Sequence, residues 1–258
     1  MFYYDHGSGP ALLLIHGMFG DHLDWEPVLE SLAERRRVIA VDLPGFGDSA
    51  KPDIDYSAST FTKQIVKLLD ELGIERIAVA GNSFGGQIAM ALALAHPERV
   101  EKLVLVTTGG LHSFREEEIE SACERLSEVK LLNFTPAIHE VLFGRIFHMQ
   151  GSDIQRRYIE KQNAKLARVD YPDYARVLNR CIRLSLSLNL LDHLPALKIP
   201  VKLIHGEYDP VVPSQWVRDA APMFPDAELV LIPECGHIPQ LELPQRVIDE
   251  IDKFLVHP

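Results

Sequence analysis

The sequence predicts an α/β protein with a doubly wound, mostly parallel sheet, interrupted once by an all-helical insertion. Three observations predict it. Short, branched apolar runs alternate with helical patterns, the rhythm of βα units joined by right-handed crossovers. The runs are apolar throughout rather than alternating, as expected of strands buried on both faces. Between residues 111 and 194 the strand rhythm stops and only helical patterns remain.

In chain order, Phe2-Tyr3-Tyr4 reads as an edge strand and Gly7-Ser8-Gly9-Pro10 as a turn. Ala11 to Ile15 suits a central parallel strand that empties into the loop His16-Gly17-Met18-Phe19-Gly20. A helix over Trp25 to Glu34 follows, with Asp24 as its expected cap. Val38 to Val41 is the next strand, ending in the turn-rich Asp42 to Ser49. Phe61, Ile65, Leu68, Leu69 and Leu72 give Ser59 to Leu72 helical spacing, which Gly73 stops. Arg76 to Ala80 is a strand, Gln87 to Ala95 a buried helix, and Leu103 to Val106 another strand.

The insertion then opens with Ser113 and Glu116 at capping-box spacing. Pro136 fits the first turn of a second helix, Ser152 with Gln155 starts a third, and a long fourth begins near Asp173. Phe143, Phe147 and Met149 are candidate pocket-lining residues, with packing inside the insertion as the favoured alternative. Alternation resumes with a strand at Val201 to His205, a helix from Ser214, a strand at Leu229 to Ile232 and a final helix from about Pro244. The expected organisation is a core of residues 1–110 and 195–258, with residues 111–194 as a helical cap.

Composition narrows the function classes. The chain has 258 residues and a net charge of −11, which argues against nucleic acid or an anionic membrane as partner. No leader pattern is visible at Met1 to Gly7. Cys123, Cys181 and Cys235 are odd in number and far apart, so free thiols and a cytoplasmic location are expected. No metal-ligand spacing, phosphate loop or dinucleotide fingerprint occurs, and no cofactor is implied. Nothing in the sequence specifies an oligomeric state.

The chemistry concentrates at strand ends, where ligands of doubly wound sheets bind. Gly81-Asn82-Ser83-Phe84-Gly85-Gly86 lies between a predicted strand and a predicted helix. This is the setting of a Gly-x-Ser-x-Gly nucleophile elbow, where glycines leave room for a sharp turn that lifts the serine hydroxyl above the sheet. A serine needs a base held by a third group. His237 and Asp209 follow later strands, and Ser83, Asp209, His237 is the chain order such a site requires. Glu207 is the less favoured alternative acid. The oxyanion of an acyl-transfer intermediate needs two N–H donors. The backbone N–H groups of Phe84 and Met18 are the candidates. Arg180 or Arg183 in the insertion is a candidate for binding a substrate carboxylate, with a solvated helix surface as the usual alternative.

With these residues in place, the chain resembles the α/β-hydrolase superfamily nearly from end to end. The resemblance rests on His16 to Gly20, Asp42 to Ser49, Gly81 to Gly86, Gly206-Glu207-Tyr208-Asp209 and Gly236 to Glu242. It implies an eight-stranded sheet with a helical cap, and the same roles for Ser83, Asp209, His237, Met18 and Phe84. Serine at the nucleophile position sets the chain apart from the aspartate-dependent dehalogenases and epoxide hydrolases. The expected function is hydrolysis of small to medium, largely apolar carboxylic esters through an acyl-enzyme. The alternatives are a carbon–carbon bond (meta-cleavage product) hydrolase or a lactonase on the same residues, a perhydrolase, and a slow or non-catalytic small-molecule receptor.

Overall fold

The computed structural model describes residues 1–256. Its single sheet has seven strands in the order β1-β3-β2-β4-β5-β6-β7. They are β1 (Phe2–His6), β2 (Ala11–Ile15), β3 (Arg37–Asp42), β4 (Ile77–Asn82), β5 (Val100–Val106), β6 (Val201–Gly206) and β7 (Ala227–Ile232). Only β1 is antiparallel, pairing Phe2 with Asp42 and His6 with Val38. The resemblance implied eight strands; seven are present among the described residues. The Gly7 to Pro10 turn joins β1 directly to β2, leaving no chain between them for another strand.

Strand periodicity sorts the core into two layers. Leu13, Ile15, Ile39, Val41 and Val79 face one layer, shared with Phe61, Ile65, Ile88 and Leu92 of the helices α2 (Ala58–Glu71) and α3 (Phe84–Ala95). Their neighbours Leu12, Leu14, Val38, Ala40 and Ala80 face the other, against α1 (Glu26–Ala33) and the C-terminal helix. Both faces are thus covered, which is why the strands read as unbroken apolar runs. Each fully buried aliphatic side chain contributes roughly 1.5–3 kcal/mol.

Between β5 and β6 the chain is helical, with α4 (Glu116–Arg125), α5 (Glu128–Leu132), α6 (Pro136–Gly144), α7 (Asp153–Leu166) and α8 (Tyr171–Ser187). After β6 come α9 (Ser214–Ala220), α10 (Pro239–Glu242) and α11 (Pro244–Val256). Thr135 and Ser152 cap α6 and α7 through their hydroxyls, and Pro136 occupies the first turn of α6.

Two expected caps differ. Asp24 does not cap α1; it sits in a 3-10 turn over His22–Trp25 and is buried in an ion pair with Lys161. Asp21 caps that turn instead, accepting the Leu23 N–H. The capping box at the start of α4 is shifted by two residues, with Glu118 accepting the Arg115 N–H. In the first place a neighbouring aspartate takes the cap; in the second Arg115 takes the cap position and Glu118 closes the box locally.

The winding reverses at the pair β2/β4. From β2 the chain adds β3 on one side, then crosses to β4 and continues outward to β7. Ile15 at the end of β2 pairs with Gly81 near the end of β4, so the loops leaving these strands are neighbours. This is the topological switch point, where ligands of open α/β sheets bind.

Candidate active site

Ser83 sits between β4 and α3 at φ 53°, ψ −113°, in the left-handed region. A non-glycine residue there costs roughly 1–3 kcal/mol and persists only when its surroundings hold it. The holding groups are backbone. Ser83 N–H donates to the Val106 carbonyl, and the Ser83 carbonyl accepts from Gly86, Gln87 and Gly109 N–H. The flanking glycines are required by space. A Cβ on Gly81 would lie 2.4 Å from the Gly85 carbonyl oxygen, and one on Gly85 2.4 Å from that of Ile15.

Ser83 Oγ lies 3.0 Å from His237 Nε2, and His237 Nδ1 lies 2.7 Å from Asp209 Oδ2. An ionised carboxylate only accepts, so Nδ1 carries the proton and Nε2 is free to accept the serine hydroxyl's. Burial pushes the Asp209 carboxyl up, but His237 and the N–H of Val212 outweigh it and hold it below the ordinary aspartate range. Asp209 Oδ1 takes the N–H groups of Val211 and Val212 at 2.8 and 3.0 Å. Glu207, the alternative acid, points outward toward Arg218.

The histidine loop is fixed from three directions. Thr107, at φ 43°, donates its hydroxyl to the His237 carbonyl at 2.8 Å, and Asn82 Nδ2 donates to Thr107 Oγ1 at 2.7 Å. The His237 N–H donates to the Ile146 carbonyl in the helical segment at 2.8 Å. Glu242 accepts the Gly236 N–H on one oxygen and the His148 N–H on the other, while burial pushes its carboxyl up.

The His16–Gly20 loop lies beside Ser83. His16 is fully buried; Nε2 accepts the Leu43 N–H at 3.1 Å and Nδ1 donates to the Gly17 carbonyl at 2.7 Å. Burial lowers its pKa, in keeping with that neutral tautomer. Phe84 N–H is the first of α3, at the positive end of the helix dipole, and Met18 lines the same cavity as Ser83.

That cavity measures about 290 Å³. Ser83, His237 and Asn82 form its polar base, and Leu126, Leu142, Phe143, Ile146, Ile182 and Leu186 of the helical segment roof it. Of the three residues singled out in the insertion, Phe143 lines the cavity. Phe147 packs against Tyr158, and Met149 is 46% exposed outside it. Arg180 and Arg183 are not part of the lining: they pair with Asp53 and Glu120. A second cavity of similar volume lies across the Lys161–Lys165 pair, lined by Lys51, Arg168, Asp170 and other charged groups but by none of Ser83, His237 or Asp209. Among the described residues no cluster of three or more His, Cys, Asp or Glu could hold a metal ion. No helix among them is long and apolar enough to cross a membrane.

Thr107, Asp24, Tyr158 and Lys165 are the site residues that sequence reasoning missed. Each acts through a partner more than 20 positions away or through a shared cavity, and carries no local pattern. The single available signal was Thr107-Thr108-Gly109 at a strand's carboxyl end.

A Gly-x-Ser-x-Gly turn lies at the switch point of the mostly parallel sheet, and residues 12–250 match the alpha/beta hydrolase family model, so the chain belongs to that family. The chain is a hydrolase by family. It is 32% identical over 253 residues to the pimeloyl-[acyl-carrier protein] methyl ester esterase of Nitrosomonas europaea, covering 95% of this chain and 96% of the relative. It is 30% identical to the 2-hydroxymuconate semialdehyde hydrolase of Pseudomonas sp. (strain CF600), covering 98% and 89%. Among solved structures it superposes on a thermophilic esterase from Thermogutta terrifontis with a TM-score of 0.85 at 27% identity, covering 99% and 92%.

Proposed function

We propose that this chain is a serine esterase that cleaves small to medium, uncharged and largely apolar carboxylic esters, with residues 111–194 as a cap over the acyl pocket. The observation that carries the reading is Ser83 Oγ, 3.0 Å from His237 Nε2, at the base of an apolar cavity. In this reading His237 takes the Ser83 proton as the hydroxyl attacks the ester carbonyl. The tetrahedral oxyanion then faces the N–H groups of Met18 and Phe84, each worth about 3–4 kcal/mol of transition-state stabilisation. Collapse expels the alcohol, which takes the proton back from His237. A water activated by His237 releases the acid from the acyl-enzyme. Asp209 holds the imidazole tautomer and offsets the charge of the imidazolium.

The esterase among the relatives supports the ester class; the hydroxymuconate hydrolase supports a carbon–carbon bond hydrolase, and a lactonase would use the same groups. The cavity lining favours uncharged esters. A dienoate carries a carboxylate, yet Asp24 is the acidic residue of the lining and Lys161, beside it at 2.7 Å, is already paired. The three cysteines are free, which supports a reducing, cytoplasmic setting.

The test is hydrolysis of 4-nitrophenyl esters of increasing acyl length by the wild type and Ser83→Ala. The expected result is fast wild-type turnover, lost by about 10⁴-fold or more in the variant. Feeble ester turnover with bleaching of a coloured dienoate would replace the esterase by the carbon–carbon hydrolase. Tight binding without turnover would replace it by a receptor.

A further inference from the structure

The loop that offers the Met18 N–H is gripped from its far side by the helical segment. Phe19, the next residue, is held at φ 63°, in the left-handed region. Its carbonyl accepts two hydrogen bonds, from Lys165 Nζ on α7 at 2.6 Å and from the Tyr174 hydroxyl on α8 at 3.1 Å. Its ring meets Phe143 of α6 edge-on at 5.4 Å. Three helices of the segment therefore converge on one strained residue adjoining the candidate oxyanion donor. The grip includes ion pairs. Lys165 Nζ also lies 3.0 Å from Asp21 Oδ2, and Lys161, one turn earlier, bridges Asp21 and Asp24 at 2.7 Å each. Gly20 lies between these groups without room for a side chain, since a Cβ there would lie 2.1 Å from Asp24 Oδ2. On the sheet side, His16 binds the Gly17 carbonyl and the Leu43 N–H. The Gly17–Met18 peptide is thus anchored on the sheet side by His16 and joined to the gripped Phe19–Gly20 peptide by the Gly20 N–H, which donates to the Gly17 carbonyl at 3.1 Å.

We propose that Lys165 and Tyr174 are positioning residues for the oxyanion hole: by holding the Phe19 carbonyl they aim the Met18 N–H, so the hole is fully formed only while α7 and α8 rest on the loop. The inference rests on the esterase reading, with Ser83 as nucleophile. A direct N–H donor is worth 10²–10³-fold in kcat, and a residue that merely aims one carries a fraction of that. The Lys165 bond is the shorter of the two, 2.6 Å against 3.1 Å, so its loss should cost more.

The test compares Lys165→Met and Tyr174→Phe with the wild type on one 4-nitrophenyl ester. Binding is measured for a trifluoromethyl ketone, which forms an oxyanion on Ser83, and for the corresponding methyl carbinol, which does not. The expected result is a kcat loss of about 10–100-fold for Lys165→Met and about 3–10-fold for Tyr174→Phe. KM and carbinol affinity should stay within about twofold, while ketone affinity falls in step with kcat. Tyr174→Phe removes only a hydroxyl, so it remains informative if Lys165→Met does not fold. Unchanged kcat and ketone affinity in folded Tyr174→Phe would overturn the inference, as would a loss confined to KM. Wild-type turnover surviving in Ser83→Ala would instead remove the esterase reading beneath it.

Discussion

At Asp209 one carboxylate oxygen faces His237 while the other accepts two backbone N–H groups of its own turn. An amide in its place would keep an oxygen for Val211 and Val212 but present an NH₂ group to His237. The imidazole would then be driven to the tautomer with its proton on Nε2, which cannot accept from Ser83. Asp209→Asn should therefore stay folded, with a thermal midpoint close to the wild type's, and lose about 10³–10⁴-fold in kcat on a good ester substrate. A loss under tenfold would mean another group orients His237. Ser83, Asp209 and His237 were legible in the sequence because each lies in a turn just past an apolar run, in a distinctive chain order. Thr107 was not, because its part depends on a positive φ and on a carbonyl 130 positions away.

At the scale of elements, the joint between α7 and the His16–Gly20 loop is held by buried charge. Burial pushes the Asp21 carboxyl up, but the Lys165 and Lys161 ammonium groups outweigh it and hold it well below the ordinary aspartate range. A depressed folded-state pKa stabilises the fold above the unfolded value, near 3.9, and that stability is lost as pH falls through the folded one. Asp21→Asn should cost about 3 kcal/mol at pH 7, because it leaves a buried ammonium without its carboxylate. The difference should shrink as pH falls below about 5, and urea titrations at pH 7, 5, 4 and 3 would measure it. A constant gap across that range would show that Asp21 is not the group being protonated. Helix existence in the segment was legible from spacing and caps, whereas this joint was not. Lys161 and Lys165 have the i, i+4 spacing of any solvated helix face, and only their arrival against Asp21 and Asp24 distinguishes them. Arg180 and Arg183 show the converse: of the two readings open in the sequence, a substrate ligand or an ordinary helix surface, they take the second and pair with surface carboxylates.

For the whole molecule, the net charge of −11 is a property that an approaching substrate meets before any contact. Carboxylate-bearing esters should be repelled and neutral ones should not. Raising salt from about 10 to 200 mM should increase kcat/KM severalfold for an ester with a carboxylate on its acyl tail and leave a neutral ester unchanged. Equal responses would mean the field does not reach the cavity mouth. The doubly wound architecture was legible because buried parallel strands leave continuous apolar runs; the strand count was not, since it came from resemblance rather than from a run of residues. The same architecture bears on how such a protein can diversify. The helical segment meets the site loops at the Phe19 and Ile146 carbonyls and the His148 N–H, and through the ion pairs of Lys161 and Lys165 with Asp21 and Asp24. The side chains that roof the cavity, such as Leu126, Leu142, Ile182 and Leu186, take no part in those bonds. Mutation can therefore reshape what the protein accepts while the reacting groups stay in register, and libraries randomised at those four positions are where new selectivities should emerge without loss of chemistry.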